Sequence, residues 1–454
     1  MKPDELNFES FCSYRWDQAV IQFNRGEVRT CCRTYPPVKI QDNDLSQHGL
    51  NVFLNHPLLL ERRAEMLSGV FHSDCNECWA LEKRGVGSFR KNSEATRTLK
   101  YVQKASTPHG KINCSLKKED LVQSYNPKSL VLFLSNVCDL KCAYCYYGLS
   151  TSWANENIKF NEVDDRTSLD MNPKVPENFE AMFWSWFETT ALSLDHIGFT
   201  GGEPTLAPKF HFFIDRILAF FNSNQKKNIL FTINTNMNYH DNLKTKNLAT
   251  FARLAESQFL EIDMSVDGLG IQGEYIRNGL KNDRWEENFL ATLQLSSERL
   301  KVGVSPTINS LIGPSLPGLF KYLFEVQVST KIPIYLKQNL VSKPARLSPY
   351  ILRPEDMLCF EKSIDLLDFY ASKLNDVGLA LASRSWHEYK DFLNGIVKSI
   401  KNADVDSSFD FDRLDLINFL EANDRKRNTD YLSVFPDLAN FFDHCKEIRL
   451  NANS

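Results

Sequence analysis

Between residues 128 and 345 the chain alternates short apolar runs with longer amphipathic stretches. The runs Leu130–Ser135, Leu194–Thr200, Ile229–Asn236, Leu260–Asp267, Leu300–Asn309 and Ile332–Val341 are rich in Leu, Ile, Val and Phe and read as strands. The stretches between them, including Glu177–Leu192, Lys209–Phe221, Leu243–Ala255, Glu286–Ser297 and Leu316–Val326, read as helices. Repeated strand–helix units predict an α/β fold of parallel strands joined by right-handed crossovers. The pattern differs on either side. Asp17–Phe23 and Glu27–Cys32, separated by the Arg25-Gly26 turn, read as a hairpin, and Arg62–Val70 reads as a helix. Residues from Pro349 onward read as helices over Pro354–Lys373, Trp386–Ile400 and Arg413–Ala422. The predicted organisation is therefore a small N-terminal domain (1–95), a polar, basic linker (96–127), an α/β domain (128–345) and a helical C-terminal region (346–454).

Composition narrows the function. The 454 residues suit two or three domains. A net charge of −4 gives no global basic field, so no nucleic-acid partner is expected. No run reaches the roughly 20 apolar residues that span a bilayer, and the N-terminus lacks a signal-like apolar region, so the expected location is the cytoplasm, with no membrane partner. Eleven Cys in such a chain point to metal or redox use more than to disulfides.

The thiols are grouped. Cys138, Cys142 and Cys145 follow the first strand of the α/β region with spacing C-x3-C-x2-C, on the side where barrel enzymes place their chemistry. Three such thiolates can grip an iron–sulfur cluster that normally takes four, leaving one iron open, since the next Cys is Cys359. A structural zinc site is the alternative, although zinc favours paired C-x2-C units and four ligands. Further on comes Gly201-Gly202-Glu203-Pro204, where the glycines permit close backbone approach and Glu203 offers an acceptor for an ammonium. Asn236 ends the third strand beside Thr235. Ser265 and Asp267 alternate with Val266 and so share a face, and Arg277 supplies a guanidinium that can fork onto a carboxylate. Lys337, Gln338 and Asn339 could face substrate, with a solvent-facing sheet edge slightly preferred. A second group, Cys12, Cys31, Cys75 and Cys78, completes one four-ligand site, for which Zn(Cys)4 and [4Fe–4S](Cys)4 both remain open; Cys32 lies beside Cys31.

The Cys triad followed by Gly-Gly-Glu, with Tyr144 just before the third Cys, resembles the radical S-adenosylmethionine (SAM) superfamily. The resemblance implies a partial (β/α)6 TIM-type barrel and a [4Fe–4S] cluster on Cys138, Cys142 and Cys145 whose open iron is chelated by SAM. It implies that Gly201, Gly202, Glu203 and Pro204 bind the SAM amino group. Ser265 and Arg277 would lie near its ribose and carboxylate, with Asp267 and Asn236 beside them. The opening Cys12-x13-Gly26-x4-Cys31, with Cys75, Cys78, Glu82, Gly85, Ser88 and Arg90, resembles twitch and SPASM domains. That implies a second, auxiliary [4Fe–4S] cluster, favours Cys31 over Cys32 while leaving either able to serve, and resembles a subgroup in which the twitch domain precedes the barrel. The implied reaction is reductive cleavage of SAM to a 5′-deoxyadenosyl radical, which abstracts hydrogen from a substrate. It requires an external one-electron reductant, flavodoxin- or ferredoxin-like. A peptide or protein is the favoured substrate, with a small metabolite or sugar as the alternative. A non-catalytic electron carrier or redox sensor is the reading from another class, but a carrier needs no Gly-Gly-Glu.

Overall fold

The computed structural model describes residues 10–83, 88–91, 102–104, 112–114, 122–123, 127–163, 171, 173–402 and 409–452. The fold is mixed α/β with parallel strands and many helices. Two compact units divide it: Met1–Val137 with Ile158–Ile233 and Glu256–Phe259, and Cys138–Asn157 with Asn234–Ala255 and Leu260–Ser454. The expected linker lies mostly outside the described residues; within it, Val102–Lys104 pairs antiparallel with Ile112–Cys114.

In the first unit the predicted hairpin forms, from β1 (Gln18–Gln22) and β2 (Glu27–Arg29), with Ile21 opposite Val28. Gly26 turns between them at φ +60°, a left-handed conformation suited to glycine. β3 (Val38–Lys39) extends the sheet beyond β2. The other edge of β1 pairs in parallel with β4 (Ser129–Phe133), Ile21 opposite Leu132. β5 (His196–Thr200) and β6 (Leu230–Thr235) follow in parallel, so the order is β3-β2-β1-β4-β5-β6. The N-terminal hairpin thus continues the α/β sheet. Every residue of β1 is buried, and an isolated two-stranded hairpin could not bury both of its faces.

An aromatic cluster covers this sheet. The helix Phe179–Thr190 buries Phe179, Phe183, Trp186 and Phe187. Phe183 meets Phe23 edge-on at 4.9 Å and stacks near Phe213 at 6.0 Å, and Phe53 packs on Phe179 at 5.4 Å. Offset and edge-on pairs of this kind add to simple area burial.

In the second unit β7 (Phe259–Ser265), β8 (Leu300–Ser305) and β9 (Ile334–Leu336) are parallel, with Ile262, Val302 and Ile334 in register. The run predicted from Leu300 to Asn309 breaks at Pro306, which has no N–H to give the ladder. It resumes as Thr307–Ile308, paired with Asn339–Leu340 in a separate two-stranded piece. Along β7, Leu260, Ile262 and Met264 are buried on one face while Glu261, Asp263 and Ser265 share the other. Lys337 does not point away from an edge: it turns across Gly303 to pair with Glu261, with Asp263 at 3.9 Å. Gly303 is needed there, because a Cβ would lie 2.4 Å from Asp263 Oδ1. The C-terminal region is helical as predicted, over Leu358–Asp376, Ala380–Lys401, Asp410–Arg427 and Ala439–Ala452. Among the described residues no helix is long and apolar enough to cross a membrane.

Phe183 is fully buried at the centre of the aromatic cluster. Phe183→Ala is expected to cost about 3–5 kcal/mol, read as a lowered urea midpoint with an unchanged pattern of secondary structure by circular dichroism.

Candidate functional site

Within the second unit the cysteine triad occupies one loop, anchored at both ends. The Cys138 carbonyl accepts the Thr151 and Ser152 hydroxyls at 3.1 and 2.9 Å, tying it to the start of the helix Thr151–Lys159. Lys141–Cys142 pairs antiparallel with Arg277–Asn278, so Cys142 lies opposite Arg277. The Cys142 carbonyl accepts both the Cys145 N–H at 2.9 Å and the Trp153 indole N–H at 2.9 Å. One carbonyl therefore fixes the spacing of two thiols. Burial pushes the Cys142 thiol up to about 12 and the Cys145 thiol up to about 11. Metal ligation requires thiolates, so binding a cluster here would release protons.

Beneath the loop lies a buried polar group. Arg277 Nε is 2.9 Å from Asp267 Oδ2, and its NH1 approaches Cys142 Sγ at 3.9 Å. Asp267 also accepts the Tyr144 hydroxyl at 2.5 Å and the Thr307 N–H at 2.7 Å, while its carbonyl accepts Ser315 Oγ at 2.6 Å. Burial holds the Tyr144 hydroxyl well above its ordinary range, outweighing the nearby Arg277. Tyr144, Asp267 and Arg277, chosen separately from the sequence, thus meet at Cys142. Ser265 is half-buried at the end of β7 and pairs in register with Ser305; the carboxylate that meets Arg277 belongs to Asp267.

Asn236 donates to Asp139 Oδ1 at 2.8 Å and reaches Cys138 Sγ at 4.0 Å. Two partners escape the sequence reading. Asp139 sits inside the C-x3-C spacing, and Asn238 donates to Asp139 Oδ2 at 2.6 Å and to the Gly279 carbonyl at 3.2 Å. The alternation Asn234-Thr-Asn236-Met-Asn238 carried a signal for the second, but it runs past the strand end.

The Gly-Gly-Glu turn belongs to the first unit. Gly202 and Glu203 donate their N–H groups to the carbonyls of Ser135 and Val137 at 3.2 and 2.7 Å. A Cβ on Gly202 would lie 2.4 Å from the Val137 carbonyl oxygen, and Gly201 takes φ +128°. Both glycines are therefore required by the backbone. Glu203 is 2% exposed; its Oε1 accepts the Thr205 N–H at 3.1 Å and hydroxyl at 2.6 Å, which orients the carboxylate, and Pro204 begins the short turn that places Thr205.

Also in the first unit, Cys12, Cys31, Cys75 and Cys78 line one pocket. Cys31 lines it and Cys32 does not. Among the described residues no three His, Cys, Asp or Glu side chains are grouped closely enough to hold a single ion. Three guanidiniums face the pocket. Arg15, paired with buried Asp74, donates to Cys75 Sγ at 3.1 Å. Arg33 pairs with Glu77 at 2.6 Å, and its N–H reaches Cys31 Sγ at 3.4 Å. Arg90 is clasped by Glu82, which also takes the Ser88 hydroxyl, and donates to the Phe11 carbonyl at 3.0 Å. Gly85 of the same pattern lies outside the described residues. Burial pushes the Cys75 thiol up to about 12 and raises Cys78.

No family model matches the chain. "Uncharacterized protein MJ0907" of Methanocaldococcus jannaschii is 26% identical over 280 residues, covering 56% of this chain and 84% of that protein. Among solved structures, anSMEcpe with bound AdoMet and Cp18Cys peptide aligns with 55% of this chain at 17% identity and a TM-score of 0.36; the chain spans 60% of its length. SuiB of Streptococcus suis aligns with 82% of this chain and 70% of its own at 15% identity and a TM-score of 0.35.

Gly202→Ala is expected to displace the turn, because the intruding methyl meets backbone. Urea unfolding should then show a lowered midpoint, with an overpacking cost of about 1–3 kcal/mol. Ala at Gly318, where a Cβ meets nothing within 4 Å, is the control expected not to lower the midpoint.

Proposed function

We propose that this chain is a radical SAM enzyme, with a [4Fe–4S] cluster held by Cys138, Cys142 and Cys145 and SAM at its open iron. The observation that supports this most is the anchored three-thiol loop, together with a Gly-Gly-Glu turn whose glycines no other residue can replace. The donor set suits the group: three thiols without a fourth, beside a buried guanidinium that balances thiolate charge. When bound on Cys138, Cys142 and Cys145, the cluster would supply the one-electron chemistry for reductive cleavage of SAM, the electron coming from the external reductant. The chain's residues bind, orient and exclude water. Glu203, oriented by Thr205, would accept the SAM ammonium, while Gly201 and Gly202 let the turn that carries it pack against the backbone of Ser135 and Val137. Asn236 and Asn238 hold Asp139 and with it the Cys138 end of the loop. Arg277 is already committed to Asp267 and Cys142, so we assign it to the thiolate side of the cluster in place of the SAM carboxylate. Ser265 remains the proposed contact near the ribose.

The pocket among Cys12, Cys31, Cys75 and Cys78 is read as the seat of a second [4Fe–4S] cluster. Four thiols around one pocket, with three guanidiniums to offset their charge, suit such a cluster, and a Zn(Cys)4 site is the alternative. The twitch identity of this region, the closure of the β/α units as a partial (β/α)6 barrel, a cytoplasmic setting and an external flavodoxin- or ferredoxin-like reductant belong to the same proposal and rest on the family resemblance. On that resemblance we take a peptide or protein as the substrate, with a small metabolite or sugar second.

Anaerobic incubation of the reconstituted protein with SAM and dithionite tests the reading. The wild type is expected to form 5′-deoxyadenosine, and Cys138→Ala, Cys142→Ala and Cys145→Ala each to form none. A reconstituted wild type that forms none is not a radical SAM enzyme. Two clusters predict about eight Fe per chain; a value near half of that, with zinc present, makes the N-terminal site structural.

A further inference from the structure

The cluster loop is gripped from below by the end of a C-terminal helix, and the reading above gives that helix no role. Within the second unit, Asp410–Arg427 ends at Asn428, which takes the left-handed conformation. Arg427, in the last turn, forks onto Glu156: Nε to Oε1 at 3.2 Å and NH2 to Oε2 at 2.7 Å. Both side chains are under one-tenth exposed. Glu156 also takes Lys141 Nζ at 2.5 Å, from the residue before Cys142. The same guanidinium lies over the Trp153 ring at 4.7 Å. Trp153 gives its indole N–H to the Cys142 carbonyl, which also holds the Cys145 N–H.

A second arm reaches the opposite strand. Asp424, one turn back, accepts the Tyr275 hydroxyl at 2.8 Å and the Tyr431 N–H at 2.7 Å. Tyr275 lies two residues before Arg277, the partner of Cys142 in the two-residue ladder. The helix end therefore reaches both sides of that ladder at one remove, through Glu156 to Lys141 on one side and through Tyr275 to the segment of Arg277 on the other.

We propose that Arg427 is a positioning residue for the cluster, acting through Glu156 and Trp153 to set the place of Cys142 and Cys145, with Asp424 steadying Arg277 through Tyr275. The inference rests on the radical SAM reading of the triad. Arg427 touches neither cluster nor SAM. A buried bidentate pair resists rotation where a lysine could not, so the Trp153 ring is held against a planar, fixed cation. Outer partners of this kind typically carry about tenfold to hundredfold in metal affinity or activity.

The test compares Arg427→Gln, Trp153→Phe and Arg449→Gln in the full-length reconstituted protein. Arg449, on the helix Ala439–Ala452, pairs at 2.8 Å with Glu421 of the helix that ends in Arg427, and controls for a general loosening of the C-terminal region. Iron loss to EDTA is followed with time, together with the change in the electron paramagnetic resonance spectrum of the reduced cluster on adding SAM. Arg427→Gln and Trp153→Phe are expected to speed iron loss about tenfold and to alter the SAM-induced spectrum, with Arg449→Gln behaving as wild type and all three matching in far-ultraviolet circular dichroism. Wild-type iron retention and spectrum in Arg427→Gln would overturn the proposal, as would equal loss in Arg427→Gln and Arg449→Gln. A wild type that binds iron without any SAM-induced spectral change defeats the radical SAM reading instead, while the iron-loss ratio still decides the role of Arg427.

Discussion

A guanidinium shut away from water must be paired, and the pairing of Arg277 with Asp267 organises the chemistry of the second unit. Asp267 is fully buried and draws Tyr144, Thr307 and Ser315 to itself as well as Arg277. Arg277 in turn lies opposite Cys142 in a two-residue ladder and presents its remaining nitrogen to that sulfur. Loss of either charge would leave the other buried and alone. The cost of such a break, of order 3–5 kcal/mol, exceeds that of most surface changes. The loop that carries the thiols is thus held in place by an interaction whose members come from three separate segments of the chain.

The same logic recurs in the first unit. Arg15, Arg33 and Arg90 are each matched to a carboxylate, Asp74, Glu77 and Glu82, before they face the sulfurs of the N-terminal pocket. Positive charge is delivered to thiols by guanidiniums that are already neutralised on their other side. Planar, always-charged groups suit that task, since a lysine in such surroundings would shed its proton.

Much of this is legible in the sequence. The strand–helix alternation, the hairpin around Gly26 and the C-terminal helices come from periodicity and turn chemistry, which are local. Cys12, Cys31, Cys75 and Cys78 were grouped by number and spacing, and one pocket collects them. What escaped was set by distant partners. The docking of β1 on β4 joins residues 111 positions apart, as at Gln18 and Ser129, and nothing near either strand announces it. Asp139 reads as a spacer between cysteines until Asn236 and Asn238 are seen to hold it. The pairing of Arg277 with Asp267 depends on the path of two loops and leaves no local signal in the sequence. Lys337 reads as a sheet-edge residue until Gly303 is found to leave it a path inward.

The place of β1 in the middle of its sheet has a consequence for how the protein is made. Cys12 and Cys31 flank strands that emerge early from the ribosome, yet β1 has no lasting neighbour on one side until Ser129–Phe133 has been synthesised. Until then it offers an unpaired edge, the kind of surface that invites association with other chains. The converse holds for β4, which would be left with a bare edge in any chain begun after the hairpin. The N-terminal hairpin is therefore an integral part of the sheet of the first unit, and its removal would bare the edge of the first strand of the α/β region.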